Sequence, residues 1–142
     1  MRILIISNSF WSVYNFRSSF IKEFIKNKNQ VLISSIKDKS LNRLKNLGAR
    51  IKEIKILSKS TNPLNEIKLL FELKKLFINY RPNIVINFTI KPILYSSFLL
   101  NDPKVKVINT LDGFGLSLTK NFFFKILIFF FLRFLRKIYL SF

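Results

Sequence analysis

Five short apolar runs, each followed by a segment of helical periodicity, limit what this chain can fold into. The runs are Ile3–Ser7, Val31–Ser35, Ile51–Leu57, Ile84–Phe88 and Val105–Asn109. Those at Ile3, Val31 and Ile84 are nearly continuous, as in parallel strands covered on both faces. The third alternates as Ile51-Lys52-Glu53-Ile54-Lys55-Ile56 and reads as a half-exposed edge strand. Strands separated by helices form βαβ units, and right-handed crossovers then predict an α/β fold. Its parallel sheet has about five strands in the order 3-2-1-4-5, with helices on both faces.

The intervening segments carry their own signals. From Arg17, the residues Phe20, Ile21, Phe24 and Ile25 fall on one helical face. Leu41, Leu44 and Leu47 mark a short second helix, with Ser40 as its cap and Gly48 at its end. Asn62 and Pro63 open a third, whose expected buried stripe is Ile67, Leu70, Phe71, Phe77 and Tyr80. A fourth starts near Pro92 and runs to Asn101.

Composition narrows the chemistry. The 142 residues suit one domain, and 49% hydrophobic content fills one core. No cysteine and no histidine occur, so disulfides, thiolate or imidazole metal sites and a histidine base are excluded. The net charge of +18 calls for an anionic partner or surface. Ala49 is the only alanine, and the dominance of Lys, Asn, Ile and Phe also fits codon bias, which leaves many lysines as plain surface. Arg2 precedes only four apolar residues before Ser7, too few for a secretory signal, so a cytoplasmic location is expected.

In a sheet of this order, ligands sit at the carboxyl edge where the strand order reverses, between the first and fourth strands. The segment Asn8–Asn15 is expected there as a loop, opposite Thr89–Pro92, with Thr110–Thr119 closing one side. Phe10 and Trp11 stand where a dinucleotide phosphate turn would need glycine, so nicotinamide and flavin cofactors are not expected. Asn8, Ser9, Ser12, Trp11, Tyr14 and Arg17 suit instead a polar ring such as a sugar, with Arg17 near a phosphate. Trp11 and Tyr14 packing over the sheet edge is the alternative. Thr89 and Lys91 precede a helix N-terminus, where a lysine meets an anion or is simply solvated. Gly113 and Gly115 permit close approach of a ligand or a plain tight turn. Asp112 is the one acid expected in a loop at this edge, a candidate base or hydroxyl acceptor.

Residues 121–142 are dense in Phe, Leu and Ile, interrupted by Lys125, Arg133, Arg136 and Lys137. On a helical projection these four cations fall within about a third of the circle, the pattern of a basic amphipathic helix on an anionic membrane surface. A core helix that packs against a further domain is the other reading. The basic residues are scattered, and no specific nucleic-acid partner is expected.

Taken together, SNSFWSVYNFR, NPLNEIKLLFELKKLF, RPNIVINFTIKPILYSS and INTLDGFG resemble, in order, the amino-terminal domain of glycosyltransferase family 4. The nearest subgroup is bacterial and builds lipid-linked glycans and surface polysaccharides. The resemblance implies a Rossmann-like half of a GT-B enzyme that is metal-independent and transfers sugar with retention. It implies that Asn8, Trp11, Asn15, Arg17, Lys91 and Gly113 line the acceptor side of the cleft. A carboxyl-terminal donor domain is not expected within residues 1–142, so a nucleotide-sugar would bind only with a second domain or subunit. The expected function is the acceptor-binding half of a retaining glycosyltransferase, inactive alone and peripheral on the cytoplasmic face of the inner membrane. The competing class is a noncatalytic basic protein that binds membrane surfaces or polyanions.

Overall fold

The computed structural model describes residues 1–56 and 63–110. The elements are β1 (Arg2–Ile6), α1 (Phe10–Lys26), β2 (Gln30–Ser35), α2 (Leu41–Asn46), β3 (Arg50–Glu53), α3 (Pro63–Tyr80), β4 (Ile84–Phe88), α4 (Ile90–Leu99) and β5 (Lys106–Thr110). All strands pair in parallel in the order β3-β2-β1-β4-β5, as the sequence predicts. Asn62, Asp112, Gly113, Gly115 and the basic stretch with Lys125, Arg133, Arg136 and Lys137 lie outside the described residues.

The unbroken apolar run of β1 has a direct cause. Successive side chains on a strand point to opposite faces, and both faces of β1 are covered. Ile3 and Ile5 enter a core with Phe10, Val13, Ile21 and Leu44 from α1 and α2. Leu4 and Ile6 enter a second core with Leu69, Leu73, Leu76 and Phe77 of α3. Two layers of helix therefore rest on one central strand.

Several boundaries differ from expectation. The α1 helix begins at Phe10, well before Arg17. Ser9 is extended, and its hydroxyl accepts the Ser12 amide, which starts the helix there. Most of the expected loop Asn8–Asn15 is thus the first turns of α1. The α4 helix begins at Ile90, so Pro92 falls in a first turn whose N–H groups have no intrahelical partner anyway. Ser40 makes no side-chain cap on α2. The β3 strand ends at Glu53, although the Ile54 amide still donates to Ser35 O at 2.9 Å and Ile54 and Ile56 are buried.

The stripe expected on α3 is also corrected. Leu69, Leu73, Leu76 and Phe77 face the core, whereas Ile67 and Phe71 are 49% and 69% exposed. At about 100° per residue, α3 carries two apolar stripes on nearly opposite sides, and the sheet covers only one.

Leu73 is wholly buried at the centre of the α3 contact. Leu73→Ala is expected to lower stability by about 2–5 kcal/mol in urea unfolding. Phe71→Ala, on the outer side, is expected to change it by less than about 0.5 kcal/mol.

Candidate functional site

The strand order reverses between β1 and β4, which brings together the start of α1 and the start of α4 at one sheet edge. Their geometry differs. The first turn of α1 is occupied by the chain itself: the Trp11 amide donates to Asp38 Oδ2 at 2.8 Å, and the Ser9 hydroxyl donates to the same oxygen at 3.2 Å. The other carboxylate oxygen accepts the Ser40 amide at 2.8 Å. A negative group thus sits where α1 presents its positive end, the position at which cofactor-binding relatives of this architecture hold a phosphate. Sequence reasoning did not single out Asp38. Its partners on α1 and its cap, Trp11 and Ser9, lie 27 and 29 residues away, beyond any local pattern.

With Asp38 seated there, the predicted side chains distribute unevenly. Trp11 is 56% exposed, with its ring edge-on to Phe16 at 5.9 Å between centroids. Asn15 is exposed, and its Nδ2 donates to the Trp11 carbonyl at 2.9 Å. Arg17 reaches the end of β4, with its guanidinium 4.8 Å from the centre of the Phe88 ring. Arg17 therefore links the two sides of the reversal point, while Trp11 forms its exposed shoulder. Asn8 and Ser9 are half-buried at the turn, and Ser9 serves as the helix cap. Tyr14 turns away: it packs on the α1/α2 core with the Arg43 guanidinium 5.5 Å above its ring.

Across the edge, Thr89 has φ 77° and ψ 160°. A β-branched residue rarely adopts this backbone region, and holding it there costs about 1–3 kcal/mol. Such strain clusters where a loop has a task beyond connection. Beneath it, Asn87 is wholly buried; its Nδ2 donates to Asn109 Oδ1 at 2.9 Å, and its Oδ1 accepts the Ser96 hydroxyl at 2.9 Å. This bonded set ties β4, β5 and α4 into a rigid floor. Sequence reasoning did not single out Asn87, whose partners Asn109 and Ser96 lie 22 and 9 residues away.

Lys91 is held by α3. Its ammonium donates to Glu66 Oε1 at 2.7 Å, and the Tyr95 hydroxyl donates to the other oxygen of Glu66. Burial, followed by the bond to Glu66 and its charge, pushes the Tyr95 hydroxyl well above the ordinary tyrosine range. Glu66 thus couples the start of α3 to the start of α4 at the same edge. Among the described residues, no three His, Cys, Asp or Glu gather as a metal site.

A five-stranded parallel sheet in this order, with helices on both faces, is a Rossmann-like α/β domain. The chain belongs to the glycosyl transferase 4-like family, whose model matches residues 2–141. A glycosyltransferase from Rickettsia africae ESF-5 superposes with a TM-score of 0.60 at 16% identity, over 84% of this chain and 32% of its own. A deacetylase triple mutant from the teicoplanin pathway gives 0.59 at 10% identity, over 85% and 68%. UDP-GlcNAc 2-epimerase from Neisseria meningitidis gives 0.56 at 14%, over 87% and 34%. At these identities the likeness establishes the fold, which these proteins put to different chemistry. The chain spans about a third of the length of the Rickettsia glycosyltransferase. No curated protein matches it in sequence.

Asp38→Ala removes the acceptor of two backbone amides, and is expected to cost about 1–2 kcal/mol in urea unfolding, with Asp38→Asn losing less. The raised pKa of Tyr95 means that the folded state holds this proton more tightly than the unfolded chain does. Its contribution is complete below the unfolded pKa of about 10 and is lost as pH rises above it. Thermal unfolding followed from pH 9 to pH 11 should fall less steeply for Tyr95→Phe than for the parent chain. Tyr80 is raised in the same direction, so the comparison isolates Tyr95.

Proposed function

We propose that this chain is the acceptor-binding half of a retaining glycosyltransferase, whose acceptor is a lipid-linked sugar or growing polysaccharide. The observation that carries this reading is the seating of the Asp38 carboxylate on the first turn of α1, beside exposed Trp11 and the bridging Arg17. A nucleotide diphosphate at that turn would meet a like charge, whereas a sugar ring finds an aromatic face and, farther along α1, a guanidinium for a phosphate. The strained Thr89 and the Glu66–Lys91–Tyr95 group form the opposite wall. Asn8, Asn15 and Gly113 are assigned to acceptor contacts from the family resemblance, Gly115 from the close approach that a glycine permits, and Asp112 to accepting a hydroxyl proton as the one acid expected in a loop at this edge. A nucleotide-sugar donor and retention at the anomeric carbon likewise follow from the family.

The reaction itself needs a second domain or subunit. Half of a two-domain cleft leaves the reacting centre in water, where electrostatic stabilisation of the transition state is weak. The working location is the cytoplasmic face of the inner membrane. Consistent with a surface rather than a spanning mode, no helix of the described residues is long and apolar enough to cross a bilayer. The second reading, a noncatalytic binder of membranes or polyanions, draws on the +18 charge and on the basic, apolar sequence of residues 121–142.

Calorimetric titration with a polyprenyl-diphosphate sugar in neutral detergent micelles tests the reading. Trp11→Ala and Arg17→Ala should each weaken binding about tenfold, the equivalent of one charge-assisted contact, with unchanged circular dichroism. Equal affinity in the parent chain and both variants would remove the acceptor site from this edge.

A further inference from the structure

The second stripe of α3 faces away from the domain core. Leu64, Ile67, Phe71 and Ile78 are 70%, 49%, 69% and 59% exposed. At about 100° per residue they share an arc of about 60°, roughly opposite the core stripe centred on Leu73. Phe98 of α4, 69% exposed, extends the same surface, and a groove of about 410 Å³ runs between the two helices. So much apolar surface, gathered on two adjacent helices, marks a contact face.

The charges at its border identify the partner. Lys68 and Lys75 flank the stripe on one side, and Lys74 flanks it on the other. Of the two acids on α3, Glu66 is paired with Lys91, and Glu72 lies farther round the helix than Lys68. A helix from another protein would need an apolar seam, yet Lys74 falls at the seam position between Phe71 and Ile78 in heptad spacing. A second copy would bring like charges face to face. A bilayer accepts both features: apolar side chains enter the acyl boundary while lysines extend their ammonium groups to anionic head groups.

We propose that the outer face of α3, together with Phe98 of α4, docks on an anionic lipid bilayer. The proposal deepens the membrane-surface part of the reading above and is independent of the acceptor site. It also gives the carboxyl edge an orientation, because Lys91 and Tyr95 join that edge to the docking face through Glu66.

The chain has no cysteine, so single labels are clean. The full chain carrying an environment-sensitive fluorophore at F71C, F98C or F16C is mixed with phosphatidylcholine vesicles, with or without phosphatidylglycerol. Phe16 lies on α1, on the other side of the sheet, and serves as the control. Labels at positions 71 and 98 should shift to the blue and be quenched by lipid-borne quenchers on anionic vesicles, while the label at 16 should not. Phe71→Ser with Phe98→Ser should reduce vesicle partitioning about tenfold or more, as loss of two buried phenylalanines requires. Three results overturn the proposal: labels at 71 and 98 that stay in water on bound protein, labels already shielded without vesicles by residues 121–142, or labels quenched by a second copy. Each leaves acceptor binding in micelles unaffected, so the two readings fail separately.

Discussion

The burial of β1 on both of its faces is the constraint from which the rest follows. Ile3, Leu4, Ile5 and Ile6 are each 0–2% exposed, which is achievable only if helices cover both sides of the strand and other strands flank it. Alternation along those four residues feeds two separate cores, one under α1 and α2 and one under α3. That division brings the sheet's order reversal to β1 and β4. Ser7, Ser9 and Thr89 come to one edge for this reason, and not because of any attraction among themselves.

At that edge the start of α1 is bonded to the chain itself. The α1 N-terminus, which in a dinucleotide domain is left open for phosphate, holds an internal carboxylate on three hydrogen bonds. With that position filled, the exposed chemistry moves outward to Trp11 and Arg17. The opposing wall is stiff, because Asn87 is bonded on both sides and Thr89 is held in a conformation its side chain disfavours. The proposed reading, a site for a polar ring, draws on this rim and its one exposed aromatic face at Trp11.

Much of the architecture was legible in the amino-acid sequence because it rests on local periodicity. The apolar runs at Ile3, Val31 and Ile84 are strands for the reason their composition suggests, and Gly48, at φ 93°, ends the α2 turn as expected. What escaped was set by distant partners. The anchoring of the first turn of α1 depends on Asp38, 27 residues from Trp11, and the roles of Lys91 and Tyr95 depend on Glu66, 25 and 29 residues away. The α3 stripe misled for a different reason: Ile67 and Phe71 are as apolar as Leu69 and Leu73, and only the sheet distinguishes the covered side. Within the site, Trp11 and Arg17 were recognisable by type, whereas the inward turn of Tyr14 required knowledge of Arg43 across the α1–α2 contact.

The chain belongs to the glycosyl transferase 4-like family and spans about a third of the length of the Rickettsia enzyme. The central claim is that the β1–β4 edge of this half receives an acceptor and not a nucleotide. Amide hydrogen exchange tests it most directly, with the full chain measured alone, with a polyprenyl-diphosphate sugar in micelles, and with a nucleotide-sugar. The account predicts slowed exchange at residues 8–18 and 88–95 with the lipid-linked sugar and no change there with the nucleotide-sugar. Protection of those segments by the nucleotide-sugar, with none from the lipid-linked sugar, would contradict it.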